Sequence, residues 1–541
     1  MPDIRPRTRW MATALTIAGA TALVPASTAL ATVGTPATAG QYAHTAQLNI
    51  GDEANSRACS GVLVAAQWVL TAASCFADKP GDALPAGKPK SKATATLGTT
   101  VREITELASR ADRDVVLAKL AEPVTNITPA KLAAAPAQGA AVTVAGFGRT
   151  KTEWVPGKIH TSAFTLTSAG ATSYALTSKA ATTDTVCKGD SGGPVLNSKG
   201  EVTALASRSW QGGCLGTSPT ETRTNAVAAR VDDLGAWIEQ TRVLSPGWKT
   251  ETLIQAGSSV HQGIRLSDGY WTGFTDVQAK AGNIGGIRSA AAKGIDGDTH
   301  VLAISNSGVL FHTVRKADGT WGTFGDVGTA AGVLGNLTQV STASIGMEVH
   351  VVAVADRKVF ITTRKADGNW TKFADLSSLA GPIGSVTAAA TASTGSQLQI
   401  TAIAGGKAYH TGNNGQWSGW GNIAGVAGTT GPITSVSMDG AGNDAHIVIA
   451  TDNGTRQYHS VRYANGNWAP YGDLKSVLGT VTAKSVAAAA VDGELQLAVT
   501  TADNKALHTI GHTDLTWSPV TPINLQGTTG SVGAVSITGT N

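Results

Sequence analysis

Six tryptophans in the second half of the chain, Trp271, Trp321, Trp370, Trp417, Trp468 and Trp517, follow one another at intervals of 50, 49, 47, 51 and 49 residues. No other feature narrows the fold as far. The neighbouring text repeats too: Asp268-Gly-Tyr-Trp271, Asp318-Gly-Thr-Trp321, Asp367-Gly-Asn-Trp370, Asn414-Gly-Gln-Trp417, Asn465-Gly-Asn-Trp468 and a degenerate Asp514-Leu-Thr-Trp517. Asp-Gly or Asn-Gly between alternating apolar residues is a strong hairpin signal. Three residues after each tryptophan stands another bulky group, Phe274, Phe324, Phe373, Trp420, Tyr471 or Val520. Each copy supplies about four short strands, and a four-stranded unit of this length cannot bury both faces alone, which is the logic of propeller blades. The spacing predicts a six-bladed β-propeller over residues 251–541, with the tail Val532 to Ile537 free to complete the first blade; a seventh, degenerate blade stays open. His312, His459 and His508 each precede their turn by six residues, His261 and His410 are displaced, and Ile361 fills the remaining copy. One histidine per blade at equal depth argues for a hydrogen bond repeated within each blade over convergence on one ion. Neither metal nor organic cofactor is implied.

A chain of 541 residues is too long for one ordinary core. It is 42% hydrophobic and only 14% charged, so it can bury large cores, and its 64 glycines favour turns and short strands. An all-β fold is expected. Lys and Arg number 41 against 37 Asp and Glu, too small an excess to argue for nucleic acid. Residues 1–31 read as a secretory signal: Arg5, Arg7 and Arg9, an apolar stretch from Trp10 to about Val24, then small residues ending at Ala31. No other segment is long enough to span a bilayer. Export makes the four cysteines, all in the first half, interpretable as disulfides. The apolar periodicity of Val231 to Arg242 predicts a helix, broken by Ser245-Pro246-Gly247. The expected division is a first domain over 32–243, a linker over 244–250 and the propeller over 251–541.

The most informative stretch of the first half is Cys187-Lys-Gly-Asp-Ser-Gly-Gly-Pro194. Cys59-Ser-Gly-Val-Leu-Val, Trp68-Val-Leu-Thr-Ala-Ala-Ser-Cys75, Asp114-Val-Val-Leu-Ala-Lys-Leu120, Gly146-Phe-Gly148 and Ser209-Trp210 accompany it in order. In these motifs, over roughly residues 32–242, the chain resembles the trypsin and chymotrypsin family of secreted serine proteases. The resemblance implies a chymotrypsin-like double β-barrel with the active site between the barrels, and disulfides Cys59–Cys75 and Cys187–Cys214. It implies Ser191 as nucleophile, Asp114 as the orienting acid, and the backbone N–H groups of Gly189 and Ser191 as the oxyanion hole.

The base is missing. Where the family's Thr-Ala-Ala-His-Cys motif has its catalytic histidine, this chain has Ser74, and a hydroxyl cannot hold a proton taken from Ser191 near neutral pH. The only other histidines of the domain, His44 and His160, are expected to be surface or satisfied strand residues. In the specificity pocket the resemblance places Thr185 at the base, so a preference for lysine or arginine is unsupported unless a slipped backbone presents Asp184. Gln211 and Ala226 stand where pocket-wall glycines are common, and with Ser209 and Trp210 they suggest a narrow pocket for a small side chain. Asp190 is the family's partner for a new amino terminus, and cleavage after Ala31 would create that terminus at Thr32.

The propeller resembles the tachylectin-like and tectonin-like sugar-binding propellers in its period and its Gly-x-Trp turns. That implies a glycan or cell-surface ligand, with the six tryptophans as candidate contacts beside a structural role in blade packing. Two readings follow: a secreted serine endopeptidase homologue of impaired or absent activity, targeted by a lectin-like propeller, or a non-catalytic pseudoprotease acting as a carbohydrate- or cell-surface-binding protein. In both, the protease-like cleft takes a protein or peptide. Whether the chain is an enzyme stays open at this level.

Overall fold

A computed structural model describes residues 34–52, 56–179, 184–514 and 516–541. The expected signal segment, and Thr32 with it, lie outside the described residues. The chain divides into two compact units, one ending at Asp232 and the other beginning at Asp233. Among the described residues no helix is long and apolar enough to cross a membrane.

The first unit is two barrels. Strands Thr45–Ile50, Arg57–Ala65, Trp68–Thr71, Ala93–Leu97, Thr100–Ser109 and Val116–Leu120 close on themselves. Alternate residues point inward, as strand geometry requires, and Leu48, Leu63, Val69, Leu97, Val116 and Leu120 fill the interior with almost no exposure. Strands Ala141–Gly146, His160–Ala169, Ser173–Ser178, Pro194–Leu196, Val202–Ser209 and Ala226–Arg230 form the second ring, around Phe164, Leu166, Tyr174 and Leu176. The short strand Thr35–Pro36 is added to its edge against Thr161 and His160. Cys59 is bonded to Cys75, and Cys187 to Cys214.

The second unit opens with the helix Gly235–Leu244, whose Arg242 pairs with Asp268 at 2.8 Å. Six four-stranded sheets follow, so the propeller has six blades. The innermost strands of blades two to six are Ile287–Ile295, Leu337–Ile345, Val386–Thr394, Ile433–Ala441 and Ala483–Val491. Blade one takes its innermost strand from the tail: Val532–Thr540 pairs antiparallel with Lys249–Ala256, joining the ends of the ring. Small polar side chains knit neighbouring inner strands together. Ser341, Ser437, Ser485 and Ser536 accept from Thr391, Ala488, Val535 and Ala292 N–H groups at 2.9–3.4 Å. These side chains satisfy inner-strand N–H groups that would otherwise be orphaned at the ring axis. Across the axis, Lys293 of blade two reaches Asp439 of blade five at 2.9 Å.

Candidate active site

The strand Trp68–Thr71 leads into a single 3-10 turn, Ala73–Cys75, which the Cys59–Cys75 bond ties to the adjoining strand. This turn brings Ser74 to the carboxylate of Asp114. The Ser74 N–H donates to Asp114 Oδ1 at 2.7 Å and its hydroxyl donates to Oδ2 at 3.0 Å. Ser207, on a strand of the second barrel, donates its hydroxyl to the same Oδ2 at 2.6 Å. Both oxygens of Asp114 are therefore held by serine donors. The Ser191 hydroxyl donates to the Ser207 carbonyl at 3.3 Å. Ser207 thus touches both the nucleophile candidate Ser191 and the candidate acid Asp114, and sequence reasoning did not single it out. The available signal was weak: Ser207 stands two residues before the Ser209-Trp210 pair, one of the motifs that carry the family resemblance.

Ser60 positions the loop around Ser191 from the first barrel. Its N–H donates to the Ser191 carbonyl at 2.9 Å and its hydroxyl to the Gly189 carbonyl at 2.8 Å. Neither the Gly189 nor the Ser191 N–H donates to a protein acceptor among the described residues. Two uncommitted amide donors beside a hydroxyl are what an oxyanion requires. Gly192 sits at φ +83°, and a Cβ there would collide with Thr71 Oγ1 and the Ser60 carbonyl. Its glycine identity is demanded by the approach of the two barrels.

Asp190 faces away from Ser191 into the protein, 2% exposed. It accepts from the N–H groups of Gly148 at 2.8 Å and Cys187 at 2.9 Å, and its Oδ1 lies 3.1 Å from His160 Nε2. Burial alone would lower the His160 pKa, but the charge and hydrogen bond of Asp190, with help from Glu153, raise it on balance. Gly34 packs against this ring, where a Cβ would lie 2.7 Å from His160 Cδ2. His160 is thus a buried partner of Asp190. His44 gives its carbonyl to Leu63 N–H, and burial lowers its pKa. Neither histidine is among the residues lining the cleft.

That cleft, about 1200 Å³, is lined by Ser74, Asp114, Gly189, Ser191 and Ser207 among others. Ser209 and Gln211 also line it, whereas Thr185 and Ala226 are buried, 2% and 5% exposed, and are not among its lining residues. The Asp184 carboxylate accepts from Ala163 N–H at 2.9 Å. Trp210 is 55% exposed, with the Arg223 guanidinium 3.5 Å from its ring centre.

In the propeller the six tryptophans are distributed, one to a blade. Each bridges the end of its blade's third strand, at Arg265, Arg315, Arg364, Asn413, Arg462 or Gly511. Its ring turns toward the preceding blade: Trp370 lies edge-on to His312, Trp468 to His410, Trp517 to His459 and Trp271 to His508, at 5.2–6.0 Å between ring centres. Each of these histidines also bonds within its own blade, His312 with His300 and His459 with His446 at 3.0 Å, His410 with Gln399 at 2.9 Å and His508 with Gln496 at 2.8 Å. Burial pushes His312, His410 and His508 down to about 3, and His300 and His459 to about 4. Among the described residues no group of three or more His, Cys, Asp or Glu could hold a metal ion.

Residues 31–238 match the family model described as Trypsin. No curated protein matches the sequence. Similar solved structures include a scabies mite inactivated protease paralogue, 15% identical over 38% of this chain and 96% of its own, with a TM-score of 0.30. Another is described as GrC, 20% identical over 38% and 97%, TM-score 0.31. A third is described as HL collagenase, 22% identical over 38% and 96%, TM-score 0.30.

Proposed function

We propose that the trypsin-family domain of residues 31–238 is a secreted, peptide-binding member of that family whose hydrolytic step is disabled, and that the propeller directs it to a carbohydrate or cell surface. The observation that carries the first half is Asp114: its carboxylate receives Ser74 N–H and hydroxyl at 2.7 and 3.0 Å, in the place where the family's acid orients an imidazole. With a hydroxyl there, the proton of Ser191 has no acceptor that becomes a stable cation. Loss of the base from such a triad costs roughly 10⁶ in rate, and about 10³ to 10⁴ over water survives from amide donors and binding. Ser191, the two amide donors and the supporting Ser60 and Ser207 remain, so the cleft keeps what it needs to grip a peptide carbonyl. The glycan half rests on the repeat and its partly exposed tryptophans.

The test is hydrolysis of casein and peptides by the full mature chain, its Ser191→Ala variant and its Ser74→His variant. The expected outcome is an inert natural protein and a gain of turnover in Ser74→His. Turnover by the natural protein that disappears in Ser191→Ala would establish another base and return the domain to the endopeptidases. A glycan array and a cell-wall pull-down test the propeller, and blanks in both remove the carbohydrate reading.

A further inference from the structure

Six Arg and Lys side chains line the cleft against three carboxylates, Asp82, Asp112 and Asp114. Most of these charges are already engaged. Arg110 and Arg113 enclose Asp112 at 2.8 and 3.0 Å, Arg57 bonds the carbonyls of Ala77 and Asp78, and Asp82 accepts from Lys79 N–H at 3.0 Å. Asp114 is held by Ser74 and Ser207. Three cations are left over, two of them exposed and the third, Arg149, half-buried. Lys188 and Arg208 are exposed, line the cleft, and have no acidic partner among the described residues. Their placement is close to the chemistry: Lys188 immediately precedes the donor Gly189, and Arg208 immediately follows Ser207, whose carbonyl receives the Ser191 hydroxyl. Arg149 adds a third positive group on the rim, its guanidinium 4.5 Å from the ring centre of Trp154, which is itself 57% exposed.

Uncompensated like charge around a groove focuses potential and selects the opposite charge. Resting on the reading that the cleft takes a peptide, we infer that its occupant is an acidic peptide segment, with Asp or Glu side chains meeting Lys188 and Arg208 on either side of the residue held at Ser191. The arginine offers a bidentate fork for a carboxylate and the lysine a mobile point charge. Both are solvent-exposed, so each contributes on the order of 1 kcal/mol or less, about fivefold in affinity, and the effect is screened by salt.

Three labelled nonapeptides of alanine test this, alternate residues being glutamate, glutamine or lysine, titrated by fluorescence anisotropy into the full chain carrying Ser191→Ala. The glutamate peptide should bind about tenfold more tightly than the glutamine peptide and weaken with added salt. Adding Lys188→Ala and Arg208→Ala should abolish the difference while leaving the melting temperature unchanged. Equal binding of the glutamate and glutamine peptides, or a glutamate preference that survives in the double variant, overturns the acidic occupant and leaves the peptide-binding reading intact. If none of the three binds, both fall.

Discussion

The proton affinity of histidine is shifted in opposite directions at His160 of the first unit and at the seam histidines of the propeller. In the first, His160 meets the buried carboxylate of Asp190 at 3.1 Å, and its proton affinity is raised. In the propeller, His312, His410, His459 and His508 are wedged between a strand neighbour and the edge of the next blade's tryptophan, and burial holds them neutral. A residue that occurs once can be matched to one oppositely charged partner. A residue repeated around a ring meets copies of the same apolar seam, and charging it would cost the desolvation energy each time.

Acid is the strongest way to break this comparison. A histidine whose folded pKa is depressed contributes nothing unfavourable above about 6.5, and stability is lost as pH falls from there toward its folded value. With His300, His312, His410, His459 and His508 at about 3 to 4, each costs up to about 2 kcal/mol at pH 5, and the sum is on the order of 5 kcal/mol or more. Calorimetry of the full chain at pH 7.5 and pH 5 should show the propeller transition falling by roughly 10 °C while the first unit moves little. Equal movement of both transitions would contradict the contrast.

A smaller effect sharpens the seam itself. Trp370 packs against the apolar cluster of Val327, Leu337 and Val351 as well as against His312. Trp370→Ala should destabilise the propeller by about 3 kcal/mol in urea titrations, as loss of a packed aromatic does. The exposed Trp210 offers the control, with an expected cost below about 1 kcal/mol. A fully functional glycan site at the tryptophans would instead show as lost binding at unchanged stability.

The smallest effect has the opposite sign to the first. The raised pKa of His160 means that its stabilisation is complete below about 6.5 and fades as pH rises through the folded value. His160→Gln should therefore cost the first unit about 2 kcal/mol at pH 6 and less at pH 9, read from urea midpoints at the two pH values. A loss that grows with pH would show that the fold favours the neutral ring and would overturn the raised proton affinity. No loss at either pH would show that Gly148 and Cys187 hold Asp190 alone.

The period of the tryptophans and the free tail were enough to anticipate the six blades and their closure, because both are properties of a one-dimensional pattern. The double barrel was legible in another way, through the resemblance to the trypsin and chymotrypsin family that the motif around Ser191 carries. What could not be read were pairings across long separations between ordinary residues. Ser207 reaches Asp114 over 93 positions and His160 reaches Asp190 over 30, with nothing in either local text to mark them. The tryptophan–histidine contacts were hidden differently: both residues were visible, but a repeat does not say that a ring faces the previous copy.

The clasp between Lys249–Ala256 and Val532–Thr540 has a kinetic consequence. It joins segments about 280 residues apart, and contacts of such range are the slowest to form. Until they meet, each is an open strand edge able to recruit a neighbour's backbone. The ring is therefore most vulnerable to misassembly just before it is finished, and a chain arrested at that stage would pair with another chain through the same two edges that normally find each other.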